Sequence, residues 1–129
     1  LRTDGWARLP LLRRSDVVTL HAPLTAGTRH LLDADRLALM PAGGVLVNAA
    51  RGGLVDERAL AAALADGRLQ AAALDVFATE PLPADSPLRT APNLYLSPHV
   101  AAGTEQARAR VRALGGAVVR AELSPPGTD

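Results

Sequence analysis

The sequence predicts an α/β fold, a parallel sheet with helices on both faces, and three observations lead there. Short apolar runs at residues 17–20, 45–48, 71–77 and 94–96 alternate with helix signals and breaker-rich loops, the rhythm of strand–crossover–strand units. The runs are apolar at successive positions rather than at every second one, as strands buried on both faces require. Three of them are followed by a charged or titratable side chain, Arg51, Glu80 and His99. Those residues stand at the carboxyl ends of their strands, where open parallel sheets hold their ligands.

Each element has a local reason. Val17–Leu20 (VVTL) is a short β-branched run preceded by Arg13, Arg14 and Asp16. Residues 21–28, HAPLTAGT, read as a loop broken by Pro23 and Gly27. A helix is expected over Leu32–Met40: Asp33 caps it, Leu37 and Met40 share a face, and Pro41 stops it. Gly43 and Gly44 turn the chain into the strand Val45–Asn48. In the stretch VLVNAARGGLVDE, residues 45–57, that strand ends in a small-residue turn exposing Arg51 beside Gly52 and Gly53. A helix over Asp56–Asp66 follows at once, with Asp56 and Glu57 as cap and first-turn acid, Leu60 and Leu64 four apart, and Gly67 at its end.

Ala71–Phe77 is an apolar strand interrupted only by Asp75. A carboxylate there is costly to bury without partners, so it either bonds neighbouring amides or offers its oxygens to a ligand. Residues 81–92 hold four prolines and are expected to form a surface loop. Leu94–Leu96 is a short strand. A last helix is expected from Thr104, its cap, to about Leu123, with Glu105 in the first turn and Pro125 beyond the end. The tail, residues 124–129, is expected to be disordered. No internal repeat or linker interrupts this order, so one domain is the economical reading.

Composition narrows the function. At 129 residues, 48% apolar, the chain suits one modest core. Fourteen basic and 13 acidic residues are interspersed for a net charge of +1, so no basic face offers itself to nucleic acid. Trp, Tyr and Phe occur once each, too few for a base-stacking platform. The absence of cysteine excludes disulfides and cysteine-based metal sites, and no His or acid cluster has ligand spacing. No apolar run is long enough to span a membrane, and residues 1–16 are too rich in charge for a signal peptide. A soluble, cytoplasmic protein is expected.

In a parallel sheet the carboxyl ends of the strands converge on one edge, so Arg51, Glu80 and His99 can meet there. The trio makes chemical sense. An arginine fork holds a carboxylate bidentately and polarises an adjacent carbonyl. A histidine exchanges the proton of a hydroxyl or carbonyl oxygen near neutral pH, and a carboxylate on its other ring nitrogen fixes the tautomer. Plainer readings stand beside these: His99 as a helix cap, Glu80 as a solvated loop acid, Arg51 as a solvated turn residue. His21 and His30 lack acidic neighbours in sequence and read as structural.

Residues 15–32 (SDVVTLHAPLTAGTRHLL), 45–57, 71–81 (AAALDVFATEP) and 93–104 (NLYLSPHVAAGT) closely resemble, in order, the NAD-binding domain of the D-isomer-specific 2-hydroxyacid dehydrogenases. The resemblance runs from about Ser15 to Val111 and implies a partial Rossmann-like parallel sheet. It implies that Arg51 binds the substrate carboxyl and carbonyl groups, that Glu80 partners the catalytic histidine, and that His99 is the general acid/base. Arg51 and His99 also face the cofactor in this family. Asp75 corresponds to the aspartate that bonds the nicotinamide carboxamide. Ala22 and Pro23 resemble the wall on the adenosine and ribose side; Ala49, Ala50, Ala101, Ala102 and Gly103 resemble backbone contacts on the nicotinamide side. Ala49 stands where Thr, Ser or Cys is frequent, a change that a backbone contact tolerates.

The implied activity is hydride transfer between NAD or NADP and a small 2-oxo or 2-hydroxy acid, in a protein that is a homodimer at full length. Family members carry a glycine fingerprint and a ribose-binding acid upstream, and a separate substrate-binding domain. No GxGxxG occurs here. Residues 1–123 are therefore expected to be the distal part of the cofactor domain, lacking the glycine-rich first βαβ unit. Two alternatives keep the same fold: a cofactor-sensing, co-repressor-like binding module, and a truncated, inactive remnant of an enzyme. On its own the chain is expected neither to bind NAD tightly nor to turn over, since amides of the glycine-rich turn bind the pyrophosphate.

Overall fold

Four parallel strands, β1 (Val17–Leu20), β2 (Gly44–Asn48), β3 (Leu69–Leu74) and β4 (Leu94–Leu96), lie side by side in the order of the sequence. The computed structural model describes residues 9–110, 112 and 113. The chain divides into two compact units, residues 1–98 and 99–129. All four strands belong to the first, with helices α1 (Leu9–Arg14), α2 (Ala34–Leu37) and α3 (Glu57–Ala65).

Parallel neighbours need a crossover between every pair, and right-handed crossovers taken in one direction bring their connections to one face of the sheet. The register agrees. Val18, Leu46 and Ala72 are aligned across the sheet and all are buried, as are Leu20, Asn48 and Leu74. Against this face pack Leu37 of α2, Met40, Leu60 and Leu64 of α3, and Leu12 of α1. The opposite face carries Val17, Thr19, Val45, Val47, Ala71, Ala73 and Tyr95, none of them fully buried; Val17 is 59% and Tyr95 70% exposed.

Capping fixes the helices where the sequence expects it. Asp56 accepts hydrogen bonds from the Arg58 and Ala59 amides at 3.0 and 3.1 Å, and Gly67 takes the left-handed backbone (φ 67°) just past the end of α3. Asp33 accepts from the Arg36 amide at 2.9 Å. Yet α2 is one turn, not the helix expected over Leu32–Met40. The backbone of Leu32 is spent elsewhere, its amide donating to Leu54 and its carbonyl accepting from Asp56, both at 2.9 Å. At the other end the Arg68 guanidinium takes the carbonyls of Ala38 and Met40.

Other boundaries also shift. β3 covers Leu69–Leu74 rather than Ala71–Phe77, because its partner β2 ends at Asn48 opposite Leu74; Asp75 lies beyond the strand, not inside it. The proline-rich segment expected as a surface loop contains a 3₁₀ turn, Pro87–Arg89, that drives Leu88 into the core at 1% exposed. Helix α1 has no counterpart in the sequence reading.

In the second unit, residues 105–110, 112 and 113 are helical. The Thr104 hydroxyl accepts from the Ala107 amide at 3.1 Å as the expected cap. The continuation toward Leu123 and the tail lie outside the described residues. Among the described residues no helix is long and apolar enough to cross a membrane, and no group of three metal-ligating side chains occurs.

Leu60→Ala is expected to destabilise the fold by about 2–5 kcal/mol, the range for a buried leucine whose site cannot collapse. Asp56→Ala should remove about 1 kcal/mol with its cap, and Tyr95→Ser, on the open face, should stay within about 0.5 kcal/mol. Urea unfolding of the three variants measures the series.

Candidate active site

The turn that carries Arg51 is closed by Asn48, the last residue of β2. Its side chain is 1% exposed and would be costly there without partners. Its Nδ2 donates to the Arg51 carbonyl at 2.9 Å, and its Oδ1 accepts from the Ala50 amide at 3.1 Å. Its own carbonyl accepts from the Asp75 amide at 3.0 Å, tying the turn to the end of β3. Ala49 is exposed and Ala50 half-buried. The exposed Arg51 sits on extended backbone (φ −148°, ψ 135°), its Nη1 donating to the Ala50 carbonyl at 2.6 Å.

A 3₁₀ turn, Gly52–Leu54, follows. A Cβ at Gly52 would lie 1.8 Å from the Phe77 carbonyl carbon and 2.4 Å from the Ala78 nitrogen. Only glycine fits that approach, and it sets the Arg51 turn directly against the loop that carries Glu80. In that loop the Phe77 amide donates to Glu80 Oε1 at 3.0 Å, and the Ala78 amide donates to Glu57 Oε1, at the start of α3, at 2.7 Å. Glu80 is exposed.

Asp75 is buried at the first position past β3. The Ser97 hydroxyl donates to its Oδ1, and the Ser97 amide donates to the Leu74 carbonyl at 3.0 Å. Both residues thus extend the ladder one step past the strands. The loop after β1 reaches the same edge. There Ala22 is half-buried and Pro23 exposed. The buried Thr28 hydroxyl donates to the Pro23 carbonyl and accepts from the Thr25 amide, both at 2.7 Å. The His30 amide donates to Gly53 at 2.8 Å, docking this loop on the Arg51 turn.

The first unit therefore brings together Ala22, Pro23, Ala49, Ala50, Arg51, Asp75 and Glu80 at the carboxyl end of its sheet. His99, three residues past Leu96 in sequence, opens the second unit together with Ala101, Ala102 and Gly103, all exposed. His99 is left-handed (φ 55°). For a non-glycine residue that costs on the order of 1–3 kcal/mol, and such conformations cluster at functional sites. The Gly103 amide donates to the Val100 carbonyl at 2.7 Å, and a Cβ on Gly103 would meet that oxygen at 3.0 Å. Of the other histidines, His21 pairs its Nε2 with the Thr19 hydroxyl at 3.0 Å, and His30 is also left-handed (φ 48°).

Sequence reasoning named Gly52 only as a turn residue beside Arg51 and gave Asn48, Glu57, Thr28 and Ser97 no role at this edge. Asn48 had a usable signal, a lone amide ending an apolar strand. Glu57 and Ser97 had none, since their partners lie 21 and 22 residues away.

Residues 7–101 match the family model for the NAD binding domain of the D-isomer specific 2-hydroxyacid dehydrogenases. The (S)-sulfolactate dehydrogenase of Chromohalobacter salexigens is 52% identical over 101 residues, 78% of this chain and 33% of its own length. The glyoxylate reductase of Thermofilum pendens is 44% identical over 119 residues, 89% of this chain and 35% of its own. The chain thus spans about a third of the length of these curated relatives. Among solved structures, a D-isomer specific 2-hydroxyacid dehydrogenase from Xanthobacter autotrophicus Py2 in complex with NADPH superposes with a TM-score of 0.75 at 40% identity, covering 94% of this chain and 50% of that one.

Asn48→Ala should lower stability by about 1–3 kcal/mol, because it takes the acceptor from the half-buried Ala50 amide and leaves the Arg51 carbonyl with the Leu54 amide alone. Gly52→Ala should lower it as well, by forcing the two backbones apart. Thermal unfolding of both variants is the measurement, and wild-type midpoints would contradict this account of the turn.

Proposed function

We propose a function from a plain premise: the chain belongs to the D-isomer specific 2-hydroxyacid dehydrogenase family, whose NAD binding domain its residues 7–101 match. The chain is the distal part of the cofactor domain of an oxidoreductase acting on a small 2-oxo or 2-hydroxy acid, in a cytoplasmic homodimer. One observation supports this best: Arg51 and Glu80 stand at one sheet edge on two backbone segments that touch without an intervening side chain.

The residues suit a nicotinamide dinucleotide. The Asp75 carboxylate, buried at the end of β3, has the acceptor chemistry that a carboxamide N–H needs. Ala22, Pro23, Ala49, Ala50, Ala101, Ala102 and Gly103 are small or rigid and would let backbone approach the cofactor closely. When bound, NAD or NADP supplies or accepts the hydride.

The remaining work falls to the chain's own side chains. Arg51 grips the substrate carboxylate through two N–H groups and draws electron density from the neighbouring carbonyl oxygen. His99 gives its proton to that oxygen as it becomes a hydroxyl, and takes it back in the reverse direction. Glu80 serves as the carboxylate partner of the other ring nitrogen of His99 and selects the tautomer. This reading requires Glu80 within direct or one-water reach of His99 in the cofactor-bound enzyme.

In the native protein carrying this chain, His99→Gln should lower kcat by about 10²–10⁴-fold, while Arg51→Ala should act mainly on the KM for the acid. NADH oxidation with glyoxylate, hydroxypyruvate and pyruvate reads both effects, and near-normal turnover in His99→Gln would reject the proton-transfer role. The chain taken alone should show no micromolar affinity in an NADH titration, because its sequence contains no glycine-rich pyrophosphate turn.

A further inference from the structure

We propose that Glu57 is a positioning residue that holds Glu80 in register with Arg51 through the Ala78 amide; this rests on the catalytic reading of Glu80 given above. Two adjacent amides of the loop after β3 each meet a carboxylate. Phe77 donates to Glu80 at 3.0 Å, and Ala78 donates to Glu57 at 2.7 Å. The first bond lies within the loop and moves with it. The second ties the loop to α3.

That anchor is firm. Glu57 is the first residue of α3, next to the Asp56 cap, and Leu60 one turn on is fully buried. The same helix follows the Arg51 turn after only the short 3₁₀ turn, Val55 and the cap Asp56. From the other side Gly52 abuts the carbonyl of Phe77 and the nitrogen of Ala78. The loop is therefore fixed at Asp75, by the Asn48 carbonyl and the Ser97 hydroxyl, and again at Ala78, by Glu57. Glu80 follows two residues later. Without the Glu57 acceptor, the segment between Asp75 and Glu80 keeps steric contact with Gly52 but loses the bond that sets its height above the sheet.

A plainer role is available for an acid in a first helical turn, favourable interaction with the helix dipole, and it leaves turnover untouched. The two roles separate in the native protein carrying this chain. Glu57→Ala should lower kcat with the 2-oxo acid by about 5- to 100-fold, the scale of a misplaced catalytic group, with the KM for NADH unchanged. Glu57→Gln, which still offers the Ala78 amide an oxygen, should keep at least about half of the wild-type kcat. In a Glu80→Gln background, Glu57→Ala should cost little more, because the two residues act through one group.

An unchanged kcat in Glu57→Ala overturns the proposal, as does a loss equal in Glu57→Gln, or one fully additive with Glu80→Gln. Wild-type activity in Glu80→Gln itself overturns the catalytic reading, and the positioning role with it. Should Glu57→Ala not fold, Glu57→Asp, one methylene short of the amide, carries the same comparison.

Discussion

A single buried amide side chain organises the candidate site. Asn48 ends β2 where the chain must leave the sheet, turn, and present a guanidinium to solvent. Its side chain gives the Ala50 amide an acceptor and the Arg51 carbonyl a second donor beside the Leu54 amide. An aspartate could accept but not donate, and a leucine could do neither. Because the Asn48 carbonyl also holds the Asp75 amide, closing one turn places the start of the next loop. The 3₁₀ turn at Gly52, its contact with Phe77 and Ala78, and the bond from Ala78 to Glu57 all build on that placement. The site is thus an extension of the parallel ladder past its last paired residues rather than a set of side chains projecting from independent loops.

The sheet explains why such extensions are needed. With strands in the order of the sequence, every connection returns over one face, and the core of Leu46, Leu60, Leu74 and their neighbours gathers there. The carboxyl edge is where each strand hands over to a loop that must climb toward that face. Short, bonded turns at Asn48 and Asp75 keep those loops close to the sheet, and charged residues within them are set by backbone rather than by packing.

The four strands and every helix but α1 were legible in the sequence because they rest on local signals. VVTL, the Asp56 cap, the leucines of α3 and the cap at Thr104 all act within a few residues. What was not legible depends on partners distant in sequence. Leu32 looks like a helix start until its amide and carbonyl are found bonded to Leu54 and Asp56. Asp75 reads as part of an apolar strand until the end of β2 shows where pairing stops. Leu88 sits among prolines that argue for a surface loop, yet its side chain fills the core. The candidate residues Arg51, Asp75 and Glu80 stood out by charge at strand ends and Asn48 by its lone amide, whereas Ser97 and Glu57, which bond partners distant in sequence, carry no sequence mark of that work.

The contact at Gly52 bears on thermal motion. Two charged tips that hang from separate loops normally wander independently, since each loop can flex and each intervening side chain can change rotamer. Here backbone rests on backbone, and no χ angle lies between the Arg51 turn and Phe77 to absorb a displacement. A fluctuation that lifts one segment pushes the other with it. Although Arg51 and Glu80 are both open to solvent, the backbone next to each, at Gly52 and at Phe77 and Ala78, is in direct contact. A displacement of one charged turn is thereby passed on to the backbone that leads to the other charge.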